Sequence, residues 1–346
     1  MVKHPLISYA SAVDRTHKGL GAAAAFCLLS TKARKCCMVV GASGTGKTTA
    51  VHAALQGSPF EDIVLDAVTR SGLKSYEETL NEFEGSLVVN DLGSIDTVYS
   101  VGESLKVLAL LAYEHGLTKN NSLMNLAIKD FKGATTTTCQ PVMMNKLIRN
   151  GAWESVLADK VIRYYHLVRP VKTAVGPIEE KAPWGYDREV ITGDRLAAKS
   201  ARNWADTHIT QWSYARTIEH LTDLYEAAAA LAERKSVTKA DIEAVGELCK
   251  PLWLEKYLIR KNDFESQHWY DHRSHCVMTE LATYGRLEKL RTCRNYKISE
   301  RTYSRIMSNT NTWCLPNPKQ EGGYAPSQQF LDLLKECRPI TGGRRK

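Results

Sequence analysis

Hydrophobic and polar positions change period several times along the 346-residue chain, and each change predicts an element. An alanine-rich stretch at 18–29 reads as one helix in the lead-in that ends at residue 35. Residues 36–40, Cys-Cys-Met-Val-Val, are a continuous apolar run closed by glycine, as expected of a strand buried on both faces of a parallel sheet. A helix at 48–56 follows, and strand-like runs at 63–68, 87–90, 134–139 and 161–168 then alternate with helical stretches such as 75–83 and 100–113. Strand alternating with helix predicts an α/β fold with a largely parallel sheet.

The pattern turns wholly helical further on. Residues 170–184 hold three prolines and read as a boundary. Ala215, Ile218, Leu221, Leu224 and Ala228 then recur at three- and four-residue steps in a helix over 213–234, and Thr238 caps another. The last 90 residues read as a helix at about 275–290, a second opened by Ser299 and running to about 309, an apolar segment with Pro and Gly at 312–324, and a final helix at 328–336. That is the order of a winged helix-turn-helix. The expected division is an α/β core over 1–170, a connection over 171–200, a small helical lid over 201–255 and a basic winged-helix module over 256–346.

Composition narrows the class. With 43% apolar and 24% charged residues the chain has the balance of a globular protein, which excludes disorder, collagen and coiled-coil rods. The longest weakly polar run, 19–30, is about half of the ~20 residues a membrane helix needs, and no leader pattern opens the chain, so a cytoplasmic location with no membrane partner is expected. Nine cysteines, irregularly spaced and without a CxxC pair, read as reduced thiols. Charge is more telling. Residues 256–346 carry 17 Lys and Arg against 9 Asp and Glu, whereas the rest of the chain is neutral, so the excess of +8 sits in the final quarter. A basic module on a neutral body points to a polyanion, nucleic acid before membrane.

Gly41-Ala42-Ser43-Gly44-Thr45-Gly46-Lys47-Thr48 matches G-x-x-x-x-G-K-[ST] between a predicted buried strand and a helix. The glycines let backbone N–H groups of residues 41–49 (through Thr49) curl around phosphate oxygens, Lys47 reaches the β- and γ-phosphates, and the Thr48 hydroxyl ligates Mg²⁺. A second metal-organising acid is needed at the end of a neighbouring strand, and Asp91 in Leu-Val-Val-Asn-Asp is the candidate. Position 92 is Leu rather than a glutamate that could polarise water. Either Asp91 is the metal acid with no adjacent base, or Asn90 takes the metal position and Asp91 is the base; slow hydrolysis, or help from Asp96 or Glu103, follows.

With P-loop, strand-end acid, a further strand ending in polar residues and a helical lid, residues 20–250 resemble the AAA+ ATPases. The resemblance implies a sensor 1 at the end of the strand Ala134-Thr-Thr-Thr-Thr-Cys139, where Thr138 or Gln140 would sense the γ-phosphate. Tyr214-Ala215-Arg216, with the Val237-Thr238 restart, is similar to the lid of the minichromosome maintenance (MCM) helicases, which makes Arg216 a sensor 2. By position Lys160 matches the finger that such rings present to a neighbouring subunit, with Arg163 and Arg149 close by. The P-loop ends in Gly-Lys-Thr rather than the Ala-Lys-Ser of MCM proteins, so the likeness to that group is distant.

Thr69-Arg70-Ser71-Gly72-Leu73 is similar to the MCM loop after the second strand, and the resemblance implies that this loop and a hairpin tipped by Lys119 face a central pore, where Arg70, Lys74 and Lys119 would grip DNA phosphates. On the winged helix, Arg301 and Arg305 share a face with Tyr303, Ser304 and Asn309 nearby, and Lys319 lies on the wing. His268, His272 and His275, with Cys276 adjacent, are spaced to line one helix face, as transition-metal ligands or as packing at a domain junction. Together these imply an ATP- and Mg²⁺-dependent homo-oligomer, a hexameric ring or helical filament, acting on DNA as a replication helicase, helicase loader or initiator, with other replication or mobile-element proteins as partners. The alternative is a slowly hydrolysing, ATP-gated DNA-binding switch such as a transposition or transcription regulator. A P-loop small-molecule kinase is the third reading.

Overall fold

The computed structural model describes residues 3–94, 97–121, 124–149, 153, 157–172, 178–185, 191–208, 212–261, 268–308, 312–317 and 323–339. Five parallel strands form the sheet: β1 (Cys36–Gly41), β2 (Asp62–Leu65), β3 (Ser86–Val89), β4 (Ala134–Cys139) and β5 (Val161–His166). Their order is β2-β3-β4-β1-β5, so β4 lies between the P-loop strand and the strand that ends at Asp91. All six residues of β1, β4 and β5 are buried, which explains why their sequences read as runs without alternation. Period-two geometry nevertheless divides them. Cys36, Met38 and Val40 enter the core on one face of the sheet, and Cys37 and Val39 enter the core on the other.

The second of these faces is covered by α1 (Pro5–Thr16), α2 (Gly21–Lys32), α3 (Lys47–Leu55) and three later helices, α6 (Arg195–Thr207), α7 (Tyr214–Leu231) and α8 (Lys239–Cys249). Helix α2 is buried almost all round, packed in one cluster with the sheet, α7 and α8. Helix α1 was not expected, although Leu6, Tyr9, Ala10 and Val13 recur at helical spacing and all are buried. Thr238 opens α8 in a reciprocal capping box with Asp241, as its sequence suggests.

The first face is covered by α4 (Val98–Glu114), α5 (Pro141–Ile148) and the C-terminal part of the chain. There α9 (His272–Tyr284), α10 (Lys289–Tyr296) and α11 (Glu300–Ser308) precede an antiparallel pair, Cys314–Pro316 with Tyr324–Pro326, and α12 (Gln328–Cys337). Leu287, between α9 and α10, bridges to Tyr324, so a residue between the first two helices joins the pair. Ser299 accepts a hydrogen bond from the Thr302 N–H at the start of α11. Helix α10 escapes a sequence reading because only Thr292 of its eight residues is buried. Val277, Met278, Leu281, Tyr303, Met307 and Phe330 belong to the same apolar cluster as the sheet strands. Among the described residues, no helix is long and apolar enough to cross a membrane.

Candidate functional site

The segment 41–48 runs from the end of β1 into the first turn of α3. Gly44 and Gly46 adopt left-handed backbone, φ 72° and 75°, which costs a side chain roughly 1–2 kcal/mol. A Cβ at Gly46 would also come within 2.9 Å of Leu20 Cδ2. The loop is braced from below: Thr45 Oγ1 donates to the Ala42 carbonyl at 2.8 Å, and the buried His166 Nε2 lies 3.0 Å from the Thr45 carbonyl. Lys47 Nζ is buried and donates to the Ala42 carbonyl at 3.1 Å. Burial lowers its pKa, and the negative charge of nearby Asp91 opposes that shift. Thr48 is half-buried and Thr49 exposed in the same turn.

Asp91 sits just past β3, where its Oδ1 accepts from the Gly93 N–H at 2.8 Å and its Oδ2 from Gln140 Nε2 at 3.4 Å. Lys47, Asp91 and Gln140 therefore converge on the carboxyl edge of the sheet. Asn90 turns elsewhere, with its Oδ1 3.2 Å from His52 Nε2 and its Nδ2 3.5 Å from Asp66 Oδ1. That arrangement favours Asp91 over Asn90 as the acid facing the loop. Of the two sensor 1 candidates, Thr138 is 1% exposed with its hydroxyl donated to the Asn90 carbonyl, which leaves Gln140 as the one with a side chain at the site. Glu103 is engaged with Arg70 across 3.9 Å. Asp96, Asn309, Lys319 and the side chain of His268 lie outside the described residues.

The finger and lid expectations change. Arg163 does not fit a role at a subunit boundary: it is 1% exposed, its Nε and Nη2 donate to the Glu255 carboxylate at 2.6 and 3.1 Å, and its Nη1 donates to two backbone carbonyls. Arg216 does not reach its own P-loop. It lies over the Tyr113 ring, 3.9 Å from the centroid, in the last turn of α4, and pairs with Glu219. Glu219 in turn contacts Lys35, which immediately precedes β1, whereas the P-loop follows β1. Six residues of strand separate the two edges by about 20 Å. Lys160 stands at that same amino edge, 4.6 Å from the Tyr113 centroid and 2.5 Å from Glu114 Oε1. Arg149 is exposed at the end of α5.

The two loops expected to meet DNA are neighbours. Leu117–Asn121 pairs with Met124–Ile128 as a hairpin, and Glu77, beside the Arg70 and Lys74 segment, accepts from the Ala127 N–H at 3.2 Å. Lys74 is exposed and paired to Glu77, and Lys119 is half-buried on the hairpin. On α11, Arg301, Ser304 and Arg305 are exposed, while Tyr303 points into the core. His275 is not a ligand candidate, because both ring nitrogens are used: Tyr270 Oη lies 2.5 Å from Nδ1, and Nε2 lies 3.2 Å from the His166 carbonyl. Among the described residues, no cluster of three His, Cys, Asp or Glu could hold a metal ion. The Thr48 hydroxyl and the Asp91 carboxylate are hard oxygen donors of the kind that could hold Mg²⁺, with phosphate and water completing the shell.

Burial pushes the pKa of His166, His220 and His275 down to about 4, so all three are neutral near pH 7. Their unfolded value is about 6.5, so the unfolded chain binds the extra protons, and the stability they confer is present above pH 6.5 and lost as pH falls toward 4. Urea titrations at pH 7 and pH 5 are expected to show a clear loss at the lower pH, at most about 3 kcal/mol per histidine between the limits. Equal midpoints would mean that these imidazoles are not held neutral.

Arg169 is the residue that sequence reading missed. It follows β5, donates through Nη1 to the Ser43 carbonyl of the P-loop and through Nε to Glu280 at 3.0 Å, and carries no motif of its own.

No family model and no curated protein matches the chain. Among solved structures, it is similar to one titled SCCmec type IV Cch, active helicase, at 12% identity and a TM-score of 0.38 over 92% of this chain and 69% of that one. It is also similar to the Thermotoga maritima RuvB Holliday junction branch migration motor, at 12% identity and a TM-score of 0.23 over 88% of each chain.

Proposed function

We propose that the chain is an AAA+ type ATPase that assembles head to tail, binds ATP with Mg²⁺ and acts on DNA. The observation that carries this reading is the convergence of Lys47, Asp91 and Gln140 around a loop whose Gly44 and Gly46 hold left-handed backbone. The loop amides, Lys47 and the amino end of α3 suit a polyphosphate. Thr48 and Asp91 would hold Mg²⁺, which neutralises charge developing on the phosphates. Gln140, fixed on Asp91, would report the γ-phosphate.

Lys160 and Arg216 share the Tyr113 ring at the edge far from their own P-loop. Two cations on one aromatic ring, both at the opposite edge, suit completion of a neighbour's nucleotide site. The outward arginines of α11, in a helix-helix-helix-hairpin order, support a winged helix that meets DNA phosphates or guanine edges through Arg301 and Arg305, with the Arg70, Lys74 and Lys119 loops as a second contact.

Lys160→Ala and Arg216→Ala should each bind nucleotide as the wild type does, yet lose about 100-fold in turnover. Mixing Lys160→Ala with Lys47→Ala should restore part of the lost turnover, because a mixed interface then carries one intact P-loop and one intact Lys160. A mixture as inactive as its components would count against a shared site. The buried Leu92 after Asp91, and Glu103 held on Arg70, favour slow hydrolysis within this reading, and so an assembly switch over a fast motor.

A further inference from the structure

Residue 169 sits where three parts of the chain meet. Its N–H donates to Thr283 Oγ1 at 2.9 Å, its Nε to Glu280 Oε1 at 3.0 Å, and its Nη1 to the Ser43 carbonyl; the guanidinium lies 5.2 Å from the centroid of the Tyr296 ring. Thr283 and Glu280 are on α9, Tyr296 ends α10, and Ser43 is in the P-loop. A Cβ built on Gly44 would stand 3.0 Å from Nη1, so the cation lies directly against the loop at Ser43 and Gly44. Nη2 is buried with no acceptor at hydrogen-bond distance among the described residues, and the Tyr296 side chain is a further polar neighbour of the guanidinium.

We propose that Arg169 is a positioning residue that couples the P-loop to the C-terminal helices, so that a nucleoside triphosphate on the loop changes the packing of α9 and α10 and with it the grip of that unit on polyanions. The inference rests on the nucleotide reading of the loop. Its physical basis is competition for one guanidinium. Glu280 is fully buried, and besides Arg169 its carboxylate has Asn295 Nδ2 at 3.1 and 3.2 Å and Arg291 Nε at 3.8 Å. Phosphate charge beside Ser43 draws the guanidinium toward the loop and weakens its hold on Glu280. A buried carboxylate losing its closest cation is costly, so α9 follows or the pair resists. Either way, occupancy of the loop and the geometry of α9 share a free energy, and the coupling is reciprocal. A merely structural tether would respond to neither.

Hydrogen exchange on the full chain separates these cases, with a slowly hydrolysed ATP analogue and Mg²⁺ as the probe. In the wild type, exchange at 41–49 should slow and exchange at 272–296 should change about 5-fold or more. In Glu280→Gln and Arg169→Lys, both milder than truncation, the response at 41–49 should persist while the change at 272–296 falls below 2-fold. A wild-type response confined to 41–49 overturns the coupling alone, as does a remote response that survives in both variants. Absence of any response at 41–49 overturns the nucleotide reading and the coupling with it.

Discussion

Replacement of Lys47 by alanine is expected to lower ATP turnover by about 100- to 1,000-fold, the loss typical of removing one preorganised charged donor. Lys47 is buried, bonded to the Ala42 carbonyl and within the field of Asp91, so its ammonium is already aimed into the curve of the loop. Binding should weaken as well, since no other lysine or arginine lies within the segment 41–49. The fold should survive, because the bonds that shape the loop come from Thr45 and His166 rather than from Lys47. Phosphate release and equilibrium binding of a fluorescent ATP analogue check this together. Turnover within a few-fold of wild type would remove the loop from the chemistry.

The second large effect is on stability. Arg163→Ala should destabilise the chain by about 3–5 kcal/mol, since it removes the two-point guanidinium contact from the buried Glu255 carboxylate. Tyr165 Oη still donates to Glu255 at 2.7 Å, but one neutral donor does not replace a two-point guanidinium contact. The rings of Trp153 and Trp212, with centroids 5.3 and 5.8 Å away, would also face a void. Replacing both members, Arg163→Met with Glu255→Leu, should recover much of the loss, because the pair then leaves no unmatched charge. Urea unfolding of the three variants measures it. If Arg163→Ala were as stable as wild type and lost only turnover of the assembled form, the residue would be a finger after all.

Legibility followed the range of the interactions. The P-loop, β1 and the first turn of α3 are contiguous in sequence, and their chemistry needs only that local order. Asp91 and Gln140 were readable because strand ends in a parallel sheet share an edge, whichever strands lie between them. Arg163 could have been placed by alternation alone, since it shares a face of β5 with Tyr165, but a run of six buried residues hides the period. Arg216 was a different matter. Its position depends on how α7 docks, through Lys35 with Glu219 and Asp223 and through His220 on the Asp159 carbonyl, contacts that span 61 to 188 residues and leave no trace in a local pattern. Arg169 joins Ser43, 126 positions away, to Glu280, 111 positions away, so only the folded chain displays it.

The central claim, a P-loop ATPase working on DNA, is tested most directly by phosphate release from ATP with and without single- and double-stranded DNA at two salt concentrations, alongside the mass of the protein with nucleotide. The account predicts slow turnover by an oligomer, stimulation by DNA that weakens at higher salt, and loss of both in Lys47→Ala. No nucleotide-dependent assembly and no turnover above that of Lys47→Ala, with or without DNA, would contradict it.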